Sequence, residues 1–134
     1  MPATGGVVAV NTHVRRASIF LHYSDPADSA AIERVRKEIS SNGAFNVPRA
    51  QLVPDVKTPS NAEVRFREGD DRLVKDALVA TEAALAGTGY PVRLQPRALS
   101  LKEFPDAVAG RVEVWLPSLS KSLYRRQASQ RKAD

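Results

Sequence analysis

AEVRFREGDDRLVKDALVATEAALAGTGYPVRLQPR, residues 62–97, decides the fold. Ala62, Val64 and Phe66 alternate with Glu63, Arg65 and Arg67, the two-residue period of a strand with one covered face. Gly69-Asp70-Asp71 supplies a turn and a helix cap. From Asp71 to Ala86 the residues Leu73, Ala77, Leu78, Ala80, Ala84 and Leu85 form a broad apolar helical side. Gly87-Thr88-Gly89 stops that helix, and Pro91 to Arg97 returns as a strand carried by Val92 and Leu94.

Residues 17–53 repeat the order. ASIFLHY (17–23) reads as a strand, with Ile19 and Leu21 alternating against Ser18, Phe20 and His22. Asp25 caps the following helix, Pro26 fits its first position, and Asp28 sits in its first turn near the positive dipole end. Ala31, Ile32, Val35 and Ile39 make the apolar stripe, and Asn42-Gly43 ends it. Phe45 to Val53 is a strand interrupted by Pro48, which places it at an edge or a bulge. At an offset of 45, Ala17 matches Ala62, Ile19 matches Val64, Leu21 matches Phe66 and Asp25 matches Asp70, the pattern of an internal repeat.

Two strand–helix–strand halves (17–53 and 62–97), followed by the cleanly alternating strand 111–116 (RVEVWL), predict one α/β domain over 17–117. Two helices cover one sheet face only, so the expected fold is a two-layer, ferredoxin-like βαββαβ sandwich with an additional C-terminal strand. In that arrangement the first and third strands are central neighbours. Ile19, Leu21, Val64 and Phe66 face the helices, and Phe20, His22, Arg65 and Arg67 stand side by side on the open face.

Composition sets limits on function. The net charge is +5, yet residues 17–119 hold 13 basic and 14 acidic side chains. The excess lies at the ends: Arg15 and Arg16 in a flexible lead-in (1–16), and Lys121, Arg125, Arg126, Arg131 and Lys132 in a basic tail (118–134). The high pI therefore gives no nucleic-acid face to the folded body. The tail reads either as a short helix capped by Ser118, with Leu119, Leu123 and Tyr124 docking, or as a solvated end. Cysteine is absent, and His13 and His22 are the only histidines. Thiolate metal sites, disulfides and cysteine nucleophiles are thereby excluded, and a zinc site or histidine triad has little to draw on. The expectation is no metal and no cofactor. No run of apolar residues is long enough to span a membrane. In the first 16 residues the positive charge follows the apolar patch, the reverse of a secretory signal, so a cytoplasmic setting is expected.

Among candidate sites, Phe20, His22, Arg65 and Arg67 are the strongest constellation. Rings and guanidinium groups on a central sheet are how RNA-binding sheets stack bases and hold phosphates. Glu63 and Glu68 lie alongside, however, and no Gly-Phe-Gly-Phe-like run exists on the third strand. The plainer reading is that this face meets a second subunit, another domain or the C-terminal segment. The pairs Asp25/Asp28 and Asp70/Asp71 read as caps, not catalytic carboxylates. The glycines at 87 and 89 follow a helix instead of opening one, so they form no phosphate loop, and no Gly-x-Ser-x-Gly elbow occurs. Trp115 reads as core or interface.

ASIFLHYSDPAD (17–28), NAEVRFREGDD (61–71) and GRVEVWLP (110–117) together resemble a paired βαβ accessory module of bacterial multidomain proteins, where it accompanies peptidase-like or signalling domains. That resemblance implies an interaction role, carries over no active-site residue, and makes the chain a stand-alone copy or one domain of something larger. The leading expectation is a non-enzymatic protein-interaction or self-association module. It would act through its open sheet face or through an edge strand, Val47–Val53 or Arg111–Leu116. The alternative is an RNA-binding protein using Arg65, Arg67 and the basic tail. An enzyme comes third, for want of a catalytic inventory.

Overall fold

A single mixed sheet organises the computed structural model, which describes residues 17–41, 43–53 and 61–121. In chain order the elements are β1 (Ala17–Tyr23), a 3-10 turn (Pro26–Asp28), α1 (Ser29–Ser41), β2 (Phe45–Asn46), β3 (Gln51–Leu52), β4 (Glu63–Arg67), α2 (Asp71–Gly87), β5 (Gln95–Leu99) and β6 (Arg111–Leu116). Across the sheet the order is β2, β1, β6, β4, β5, with β3 also paired to β1. Each half forms a parallel βαβ unit: β1 pairs β2 and β3, and β4 pairs β5.

The sandwich is two-layered, as the alternation requires. Parallel crossovers are right-handed as a rule. The second unit runs antiparallel to the first and steps out to the opposite edge, so the rule puts both helices on one face, and α1 and α2 are in contact. Ile19, Leu21, Val64, Phe66, Val112, Val114 and Leu116 are buried beneath them with Ile32, Val35, Ile39, Ala77 and Leu85. Each Val, Leu or Ile among them contributes about 1.5–3 kcal/mol when fully buried.

The neighbour relations of a ferredoxin-like sheet are not kept. β1 and β4 do not pair; β6 lies between them, parallel to β1 from Ser18↔Arg111 to Tyr23↔Leu116 and antiparallel to β4 from Glu63↔Trp115 to Phe66↔Val112. Strand 111–116 is therefore the central strand and not a free edge. Its strict alternation serves this place: Val112, Val114 and Leu116 are fully buried on the helix side. The edges are β5 and the broken β2/β3 strand. At the latter, Pro48 separates two short pairings, and Arg36 of α1 bridges the gap by donating to the Val47 carbonyl (3.2 Å) while pairing with Glu33.

Two further expectations are corrected. The strand expected over 91–97 forms at Gln95–Leu99 instead, a largely exposed segment held by its backbone pairing to β4. Leu94 is buried just before it. In α2 the buried stripe is Val74, Ala77, Thr81, Ala84 and Leu85, while Leu73, Leu78 and Ala80 are half-buried. α2 ends where Gly89 adopts φ 98°, a left-handed conformation that suits glycine.

Of the acidic residues expected to cap the helix starts, Asp25 does so and Asp70 does not, and several of their partners are distant in sequence. Asp25 caps its turn through a 3.0 Å bond from Ala27 N–H and also accepts from the Ser118 hydroxyl (2.6 Å). Asp28, 1% exposed, accepts from Leu119 N–H and from the Ser120 hydroxyl, both at 2.7 Å. Leu119 is thereby fixed in the core, 1% exposed. Asp70 occupies the N-cap position of α2 without a side-chain cap bond; its carboxylate accepts from Gly110 N–H (3.0 Å) instead. The lead-in (1–16) and residues 122–134 of the tail, with Leu123 and Tyr124, lie outside the described residues. No helix among the described residues is long and apolar enough to cross a membrane.

Candidate binding surface on the open sheet face

The face opposite the helices carries the odd-numbered side chains of β4 and β6 and the even-numbered ones of β1. Because β6 is central, its Arg111, Glu113 and Trp115 separate Phe20 and His22 from Arg65 and Arg67. The four residues expected to stand side by side are joined only through this intervening row.

Trp115 is the pivot. His22 stacks on one side of its indole, with centroids 4.2 Å apart and planes 10° from parallel. The Arg65 guanidinium lies over the ring, 4.6 Å from the centroid, reaching in from the strand on the other side. The indole N–H donates to Glu113 (3.2 Å). Stacking and cation–π contacts of this kind contribute about 0.5–1.5 kcal/mol each. Beside the pivot, Arg111 lies over the Phe20 ring at 4.1 Å. Carboxylates lock the arginines in place. Glu63 accepts from Arg65 (2.9 Å) and stands 3.9 Å from Arg97, and Glu113 stands 3.5 Å from Arg111.

His22 is 7% exposed and its Nδ1–H donates to the Val114 carbonyl (3.3 Å). Burial lowers its pKa below the ordinary 6.5, because the imidazolium loses solvation there. Glu113 opposes the shift, and Arg111 and Arg65 add to it. A neutral ring is also the better partner for a stack already flanked by guanidinium groups.

Toward β5 the face deepens into a cleft. The segment after β5 turns twice, with Phe104 N–H bonded to the Ser100 carbonyl (2.8 Å) and Ala107 N–H to that of Phe104 (3.0 Å). It is fastened at one end by Glu68, whose carboxylate accepts from Leu101 N–H (2.9 Å), and at the other by the Asp70–Gly110 bond. This loop stands as a wall above the sheet. Between wall and sheet lies a space of about 500 Å³ bounded by Arg65, Arg97, Phe104, Pro105, Asp106 and Glu113. A smaller recess of about 190 Å³ next to it is bounded by Arg65, Arg67, Asp106, Val108, Arg111 and Glu113. The loop also exposes Leu101, Phe104 and Val108, three of the five large exposed apolar residues among those described.

Arg67 stands apart from the other cations. Its Nε is buried without a hydrogen-bond partner, and among the described residues no carboxylate lies within ion-pairing distance of it. Lys121 is exposed beyond β6, and Arg125, Arg126, Arg131 and Lys132 lie outside the described residues. Sequence reasoning missed the contributions of Trp115, Glu113, Arg111 and Arg97. Their even spacing with Arg65 on alternating strands was visible, but their adjacency depends on where β6 inserts.

No protein-family model matches the chain, and no curated protein sequence matches it. The chain is similar to the solution structure of the C-terminal domain of RV0431, with 19% identity, a TM-score of 0.46, and coverage of 77% of this chain and 73% of that one.

Proposed function

We propose that the protein is a non-enzymatic interaction module that docks a polypeptide on the open face of its sheet, with the loop 100–110 as one wall of the docking cleft. One observation carries this reading: a cleft floored by arginines whose wall presents exposed Leu101, Phe104 and Val108. Exposed apolar side chains next to fixed guanidinium groups complement a segment bearing both carboxylates and an apolar side chain. The role as an accessory module, implied by the resemblance of 17–117, is part of the same proposal, as is descent of the two βαβ halves from one repeat.

A peptide library displayed on phage and selected against the protein tests it. The expected result is enrichment of segments with Asp or Glu next to Leu or Phe, whose binding is lost in Arg97→Glu and Phe104→Ser variants. Absence of enrichment, or equal binding to both variants, overturns the reading. Light scattering across a concentration series tests whether a second copy is the occupant; dimers abolished by Phe104→Ser would name it as such.

RNA is the alternative ligand, supported by the Arg65/Arg67 pair and the basic tail. The geometry favours it less, because a base needs an open ring face and the Trp115 ring is already engaged by His22 and Arg65. Absence of binding to single-stranded RNA at low salt would remove that alternative, since phosphate contacts are strongest there.

A further inference from the structure

We propose that Arg67 is the centre of an oxyanion-binding subsite that receives a carboxylate of the docked polypeptide. The proposal deepens the docking reading and rests on it, but the subsite itself is testable with a small anion alone.

Arginine is rarely left buried without a partner, because an unmade charged hydrogen bond carries the full cost of desolvation. Arg67, itself half-buried, has its Nε sealed from solvent with no partner and makes no ion pair with a described carboxylate, so an entering anion would meet its terminal amino groups and not Nε. The nearby acids are committed elsewhere: Glu63 to Arg65 and Arg97, Glu113 to Arg111 and the Trp115 indole, Glu68 to Leu101 N–H, and Asp70 to Gly110 N–H. Arg67 opens on the recess of about 190 Å³ that it shares with Arg65 and Arg111. That volume is below the range of drug-sized ligand pockets, roughly 300–1,000 Å³, and suits a single carboxylate group. The recess adjoins the larger cleft beneath Phe104, since Arg65, Asp106, Ala107 and Glu113 line both. An acidic side chain entering the recess would leave its neighbours against the apolar loop. Among the described residues, Asp106 is the one acid on the recess whose side chain makes no ion pair or hydrogen bond, and it sets the selectivity: its charge opposes a second anion and weakens binding of the first.

The test is a titration of the intact protein with acetate, read by the NMR signals of the arginine Nε–H groups and of the Ala107, Val108 and Gly110 amides. The expected result is a saturable shift at Arg67 Nε–H and at those amides. Arg67→Lys keeps the charge but removes the guanidinium's paired terminal N–H groups, and weakens acetate binding by about ten-fold, the loss of one charge-assisted hydrogen bond. Asp106→Asn, at an exposed site, tightens it. No saturable shift at Arg67, or tightening absent in Asp106→Asn, overturns the subsite. The two readings fail separately. Selected peptides that bind wild type and Arg67→Lys equally leave docking standing without the subsite, whereas acetate bound at Arg67 with no peptide selected leaves the subsite standing without docking.

Discussion

His22 and Trp115, 93 residues apart, lie ring on ring at 4.2 Å in the middle of the exposed sheet face. The register of β1 against β6 brings them together, His22 directly opposite Trp115. Their stack divides the face into an aromatic half over β1 and an arginine-rich half over β4 and β5.

The stack makes the fold sensitive to mild acid. Burial depresses the His22 pKa against the pull of Glu113, so the unfolded chain takes up a proton more readily than the folded one. The stability held by neutral His22 is whole above its ordinary 6.5 and is lost as pH falls from there through the lowered folded value. Urea midpoints should therefore decline as pH drops below that point. His22→Phe keeps a stacked ring and should flatten the decline. The protein has one tryptophan, so its fluorescence reports the same titration directly.

Replacing Trp115 by alanine removes the ring that His22, Arg65 and Glu113 all contact. The expected loss is about 2–3 kcal/mol, below the 3–5 typical of fully buried aromatics because Trp115 is half-exposed. Circular dichroism during urea unfolding measures it. A loss under half that would mean the stack is decorative.

The bond from Leu119 N–H to Asp28 ties the end of the described chain to the start of α1. Asp28→Ala leaves the buried Leu119 N–H without a partner and releases the Ser120 hydroxyl, at an exposed residue, to water. The expected cost is about 1–3 kcal/mol, that of one buried donor left unpaired. Limited proteolysis should cut after residue 117 in that variant sooner than in wild type.

Thr81 points the other way. Its hydroxyl is fully buried in α2 with no partner. Thr81→Val keeps the shape and removes the unmet polar group, so thermal unfolding should shift upward by roughly 4–8 °C, the equivalent of about 1 kcal/mol. An unchanged or lower midpoint would show that the hydroxyl finds a donor or acceptor in solution.

What the sequence disclosed follows from local physics. The alternation in 17–23, 62–67 and 111–116 marked the strands and their buried sides, and Pro48 marked a broken edge. The central place of β6 was hidden, because order within a sheet is set by pairings between distant segments and leaves no local trace. Gln95–Leu99 was misplaced for a related reason: a largely exposed strand, held by backbone pairing to β4, has no apolar period to read. The half-sites Phe20/His22 and Arg65/Arg67 were legible as outward-facing residues. The role of Trp115 in bridging them needed the register, and the wall needed the Glu68 and Asp70 bonds.

The most direct test of the docking face is an amide chemical-shift map recorded with a peptide selected by the protein. The account predicts saturable shifts gathered on Arg65, Arg97, Phe104, Asp106 and Glu113, with the helix layer unmoved. Shifts centred instead on Arg34, Lys37 and Thr88 along the helices would contradict it.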